Sequence, residues 1–168
     1  ISKILEADYS KDKKKIFLTF NLPDGQKLTT IKLRNKNKSI DNEIIGGLYL
    51  DYIKKNKIFI NSFISENIMQ NSKNDYFFDE FCLGAHLKSF QFNKYKKNFK
   101  ENKILFNVLN LKKIFNFSKN KKFNSLKEGI DLTKDLVSEP GNVLHPDEYV
   151  KRILQLKKNG LKVSVINK

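Results

Sequence analysis

The stretch Glu128–Tyr149, EGIDLTKDLVSEPGNVLHPDEY, holds a helix stop and a helix start within a few residues. Leu126, Ile130, Thr133 and Val137 recur at helical spacing up to it. Ser125 and Glu128 form an S-x-x-E capping box, which places the start of this helix near Ser125. Pro140 pushes the residue before it out of the helical region, so Glu139 is the expected stop. Pro146 is suited to a first helical turn, and His145 before it reads as a helix-cap or interface residue. Tyr149, Val150, Ile153, Leu154 and Leu156 supply the apolar side of the next helix, and Gly160 its C-terminal cap. Leu161, Val163 and Val165 alternate with polar residues and read as a closing strand.

Upstream, strands and helices alternate. Ile16–Phe20 and Leu28–Leu33 read as strands around the turn signal Pro23-Asp24-Gly25, a hairpin. Ser39 is a good N-cap, with Asp41 and Glu43 favourable at the positive end of a helix dipole. Ile40, Ile44, Leu48 and Tyr52, flanked by Ile45 and Ile53, predict the buried stripe of that helix. Gly46 and Gly47 sit inside it, where glycine costs about 1 kcal/mol against alanine. Their expected purpose is close approach of a neighbouring element. The apolar run Ile58–Ile64 predicts a buried strand, and Ile104–Leu109 another. Between them Asp75 can cap a helix with Phe78, Phe81, Cys82 and Ala85 on one face. The pattern predicts an α/β fold, a layered sheet flanked by helices with mixed or largely parallel strands.

A formal net charge of +15 suggests nucleic acid or an anionic surface as partner. Arg34 and Arg152 are the only arginines, however, and lysine supplies the rest. Base-reading sites favour arginine, whose planar fork grips guanine edges and phosphates. The excess of Lys, Asn, Ile and Phe reads chiefly as compositional bias. Tyr95, Phe99, Phe115, Phe117 and Phe123, interleaved with lysines in Lys94–Lys103 and Lys112–Lys122, could stack bases, but core aromatics beneath a solvated face explain them better. No run of about 18 apolar residues occurs, so no transmembrane helix and no membrane partner are expected. The chain opens at Ile1 and has one methionine, Met69, which reads as a fragment without its native start.

Chemistry-bearing residues are sparse. Cys82 alone cannot form an internal disulfide, which favours a reducing, cytoplasmic setting, and it reads as a buried structural thiol. His86 and His145 lack ligand-like spacing. Asp79–Glu80 and Asp147–Glu148 sit where helix first turns or solvated faces want acids. No P-loop or G-x-G pattern occurs. No catalytic, cofactor-binding or metal-binding residue is assigned to this chain.

Two stretches resemble the leucyl aminopeptidase (cytosol aminopeptidase) family. Asp135, Leu136, Val137, Glu139, Pro140, Asn142 and Pro146 match its D-L-V-N-E-P-x-N-x-x-x-P pattern, with Ser138 and His145 as departures. Gly84, Leu87, Ser89, Phe92, Tyr95 and Lys96 are similar to its G-x-x-L-x-S-Y-x-F-D-x-Y-K segment, with Asn93 in place of aspartate. The resemblance implies a macro-domain-like N-terminal domain over residues 1–122, a connecting helix over 123–139 and a truncated start of the catalytic domain over 140–168. It implies a cytoplasmic, usually hexameric parent enzyme that removes N-terminal amino acids from peptides using two divalent metal ions, zinc or manganese. It places the metal ligands and catalytic residues around an N-T-D-A-E-G-R signature that these residues do not include. The chain would then be an accessory and assembly domain, inactive alone. The alternatives are a stand-alone macro-like module for ADP-ribose or a related nucleotide, and a nucleic-acid-binding module.

Overall fold

A computed structural model describes residues 16–31, 39–58, 60–64, 76–97, 104–109 and 120–166. The Asp75 cap, Phe59, Phe99, Phe115, Phe117 and most of the two lysine-rich connections lie outside these residues. The described chain is α/β, with strands β1 (Phe17–Asn21), β2 (Lys27–Ile31), β3 (Ile60–Ile64) and β4 (Leu105–Leu109). Helices are α1 (Ser39–Lys55), α2 (Phe77–Ser89), α3 (Lys121–Ser138) and α4 (Pro146–Leu154), the last running on into a 3-10 turn, Gln155–Asn159. The described strands form two two-stranded sheets.

β1 and β2 are the expected antiparallel hairpin, with Phe17 opposite Ile31 and Thr19 opposite Thr29. The Gly25 amide donates to the Leu22 carbonyl at 3.0 Å and the Leu22 amide to the Gln26 carbonyl at 2.8 Å. Gly25 has φ +81°, the left-handed residue that a three-residue hairpin loop places last. One face of the hairpin meets α1. Phe17 packs on Tyr49 and Tyr52 at ring-centroid distances of 5.5 and 5.3 Å, and Thr19 hydrogen-bonds Tyr52.

β3 and β4 are parallel neighbours, and α2 lies in the crossover between them, as parallel pairing requires. Tyr49, Leu50, Ile53, Phe77, Phe78, Phe81 and Ala85 form the buried core, with Phe63 of β3 set edge-on to Tyr49, Phe78 and Phe81. Tyr49 donates its hydroxyl to Asn61 Oδ1 at 2.9 Å, and burial pushes the phenol up to about 12.

The buried face of α1 differs from the expected stripe. Ile40 and Ile44 are 56% and 54% exposed, and Leu48 is exposed as well. Asn42, Gly46, Tyr49 and Leu50 face inward instead, together with Ile53 of the expected set, and Ile45 and Tyr52 are half-buried against the core. α1 is apolar on more than one side, and glycine decides between the sides. A Cβ on Gly46 would stand 1.9 Å from the Phe81 carbonyl oxygen, and one on Gly84 would stand 1.9 Å from the Glu43 carbonyl oxygen. The two helices therefore touch backbone to backbone at paired glycines, the close approach expected of Gly46. Gly47 is looser, since its Cβ would lie 3.6 Å from its neighbours. After Lys55 the chain closes the helix with Lys57 at φ 54° and the Ile58 amide donating to the Ile53 carbonyl at 2.9 Å. This is a Schellman closure without the usual glycine.

α3 begins at Lys121, a turn before the S-x-x-E signal, so Ser125 lies within the helix. Phe123 is buried against Tyr76, and this tertiary contact extends the helix upstream. The inward face carries Phe123 and Leu136, while Leu126 and Val137, on the stripe read from the sequence, are exposed. The helix ends as expected, with Glu139 extended before Pro140 (φ −68°, ψ 136°). His145 caps α4, its Nδ1 accepting from the Glu148 amide at 3.4 Å, with Pro146 in the first turn. Gly160 closes the 3-10 turn at φ 84°. Residues 161–166 form no strand. A strand exists only through ladder bonds to a neighbour, and no described residue offers this segment one.

Candidate functional site

Glu139 gathers three side-chain donors from two other segments. Its side chain is 1% exposed. Oε1 accepts from Arg152 Nη1 at 2.9 Å and from the Lys94 ammonium. Oε2 accepts from the Tyr95 hydroxyl at 2.5 Å. Arg152 Nε in turn donates to Glu148 Oε1 at 3.2 Å, one turn back on α4. Three segments thus meet on one carboxylate: the residues following α2, the end of α3, and α4.

Local sequence supplies each piece. Pro140 forces Glu139 into extended backbone, so its side chain leaves the helical row and turns inward. The Pro140 carbonyl then accepts from the Val143 and Leu144 amides, both at 2.9 Å, in a compact turn that delivers His145 and Pro146 to the head of α4. Arg152 is one of two arginines among 33 basic residues. It stands where a rigid fork can serve two carboxylates at once, a task lysine's single point charge does poorly.

The charges settle one another. Donation from Lys94, Tyr95 and Arg152 holds the Glu139 carboxyl down at about 2, against its burial. The same hydrogen bonds raise Lys94, Tyr95 and Arg152. Glu139 is therefore a fixed anion near neutral pH and a poor proton donor or acceptor.

The other chemistry-bearing residues are engaged elsewhere. Asp79 and Glu80 are buried. They occupy the first turn of α2, as expected, but α1 and α3 cover them. Glu80 accepts from Asn42 at 2.7 Å and Asp79 from Asn120 at 2.8 Å. Burial, with the charge of Glu80 adding, raises the Asp79 carboxyl against the pull of Asn120. Cys82 lies on α2, largely enclosed, and burial with the Asp79 charge pushes its thiol up to about 12. A thiol so raised stays protonated and unreactive near neutral pH. His86 Nε2 stands 2.7 Å from Asp131 Oδ1, a link from α2 to α3. Phe123 is enclosed, while Tyr95 is exposed, with its hydroxyl bonded to Glu139 and its ring edge-on to Phe92.

Among the described residues no three His, Cys, Asp or Glu side chains gather as metal ligands. The carboxylates Asp79, Glu80, Asp131 and Glu139 face amide, imidazole, ammonium, phenol and guanidinium groups and do not converge as a two-metal centre requires. No helix among the described residues is long and apolar enough to cross a membrane.

Sequence spacing singled out Glu139 only as a helix stop and Arg152 not at all. A signal was present, since Tyr95 and Glu139 fall in the two separate stretches that resemble one family. The structure shows these stretches in contact.

The described residues form an α/β unit with a small antiparallel hairpin, a parallel strand pair and four helices, with a buried carboxylate at the end of α3 tied to α4. No family model matches the chain. It is 32% identical over 91 residues to a probable cytosol aminopeptidase of Methylorubrum extorquens, a match over 52% of this chain and 18% of that protein. It is 35% identical over 94 residues to a probable cytosol aminopeptidase of Phytoplasma mali, covering 52% of this chain and 19% of that protein. The matches thus span under a fifth of these relatives' lengths. A mutant of tomato leucine aminopeptidase superposes with a TM-score of 0.67 at 15% identity, covering 94% of this chain and 33% of that one, which establishes likeness of fold. Sequence and fold together support a leucyl aminopeptidase family N-terminal region.

Proposed function

We propose that this chain is the N-terminal accessory and assembly region of a metal-dependent leucyl aminopeptidase that removes N-terminal amino acids from peptides. The observation that carries the proposal is the meeting at Glu139 of two sequence-distant stretches, both of them family-like. In this reading residues 1–122 are the accessory domain, 123–139 the connecting helix, and 140–168 the start of the catalytic domain. The two divalent metals, zinc or manganese, and the catalytic residues belong to the remainder of the parent. That parent is a cytoplasmic homo-oligomer, a hexamer, acting on peptides. This chain contributes no catalytic, cofactor-binding or metal-binding residue.

The test compares two proteins. The complete reading frame and residues 1–168 are purified, and leucine release from a leucyl peptide is followed with manganese, with zinc and after chelation. The expected result is metal-dependent release by the complete product and none by residues 1–168. Release by residues 1–168, or none by the complete product under any metal condition, would overturn the reading.

A further inference from the structure

α4 is attached unlike the other helices. No residue of α4 or of its 3-10 continuation is fully buried, whereas α1, α2 and α3 all bury apolar side chains in the body. Tyr149, on the side of α4 expected to be apolar, is exposed. A polar tie from α4 to the preceding elements runs from Arg152 Nη1 to Glu139 Oε1 at 2.9 Å, beside the half-buried Val150, Ile153 and Leu154. Behind that carboxylate stand Lys94 and Tyr95, which hold it from the other side. The connection carries Gly141, which is exposed, with nothing within 4 Å of the place a Cβ would take.

We propose that Glu139 is an electrostatic latch: its contacts to Lys94, Tyr95 and Arg152 fix the direction in which α4 leaves α3. Without the latch, residues 146–160 swing about the Pro140–His145 joint while the body stays folded. The physical basis is a difference in what holds each part. The body is secured by apolar burial, which does not depend on one group. The joint buries no residue of α4 fully and is tied through one carboxylate, so removing that charge opens it locally, as a separate unit of low stability. Glu148 shares Arg152 and keeps that guanidinium oriented on α4, but as a residue of the same helix it cannot anchor α4 to the body.

Amide hydrogen exchange on the 168-residue chain tests it, with Glu139→Gln and Arg152→Met compared against the parent sequence. In Glu139→Gln, exchange across 146–154 should speed up at least about tenfold, with α1 and α2 changing less than about twofold. Arg152→Met should free 146–154 to the same degree but leave the Lys94–Tyr95 segment protected, because Glu139 still holds it. If Glu139→Gln does not fold, Arg152→Met alone is decisive. The latch is overturned if α4 exchange is unchanged in a folded variant. It is equally overturned if α1, α2 and α4 accelerate together, or if α4 of the parent sequence already exchanges at the rate of a free peptide.

Discussion

Glycine does opposite things at different positions of this chain, and each outcome is measurable. Gly46 and Gly84 are where α1 and α2 touch, with another backbone 1.9 Å from the place a Cβ would take. Backbone cannot step aside as a flexible side chain can, so Gly46→Ala and Gly84→Ala should each destabilise by about 3 kcal/mol or more in urea unfolding. Gly129 lies inside α3 with nothing within 4 Å of its missing Cβ. Gly129→Ala should stabilise by about 1 kcal/mol, the helix-propensity difference. If all three substitutions had the same sign, the glycine contact would not be what joins α1 to α2. Gly46 was legible in the sequence as a contact residue because glycine inside a helix has a known cost. Its partner was not, because Gly84 reads simply as one residue of a family-like stretch.

At the scale of the helix, the ends marked by proline and glycine were legible, while the start of α3 and the faces were not. Pro140, Pro146 and Gly160 act on their own backbone, so the end of α3, the start of α4 and the end of the 3-10 turn follow from neighbours in sequence. The faces depend on what packs opposite. On α1 the aliphatic stripe of Ile40 and Ile44 lost to the face carrying Gly46, Tyr49 and Ile53, since only that side lets α2 come close. On α3 the same kind of competition turned Phe123 and Leu136 inward and Leu126 outward. Thermal or urea melts check the assignment. Phe123→Ala should cost about 3 kcal/mol as a buried aromatic truncation, and Leu126→Ala should stay within about 0.5 kcal/mol. The reverse order would restore the stripe that periodicity favours.

For the whole molecule, acid is the informative perturbation. Glu139 is held at about 2 by Lys94, Tyr95 and Arg152, below the value of about 4.3 that a free glutamate has in an unfolded chain. Folded, it binds fewer protons than unfolded, so its contribution is fully present above about pH 4.3 and fades as pH falls toward 2. Asp79 has the opposite sign: its carboxyl is raised in the fold, so its contribution is present at low pH and is lost as pH rises through the folded value. Acid titration followed by amide exchange should therefore loosen 146–154 before α1 and α2. Glu139→Gln should remove that early step, since no carboxyl remains there to protonate. An early step that survives the substitution would have to come from another group.

The sequence by itself determined the α/β alternation, the hairpin with its Gly25 turn, the stop before Pro140, the His145 cap and the family likeness carried by two short stretches. These rest on groups acting within a few residues of themselves, where backbone sterics and local hydrogen bonds leave few alternatives. Only the tertiary structure decided which faces of α1 and α3 are buried, that Asp79 and Glu80 are enclosed, and that Glu139 joins Lys94, Tyr95 and Arg152. The partners of Glu80, Asp79 and Glu139 lie 38, 41 and up to 45 residues away along the chain. No local pattern ranks one distant partner above another. The choice is made when the apolar core closes and brings the segments together, and a carboxylate buried by that closure must find whatever donors arrive with it.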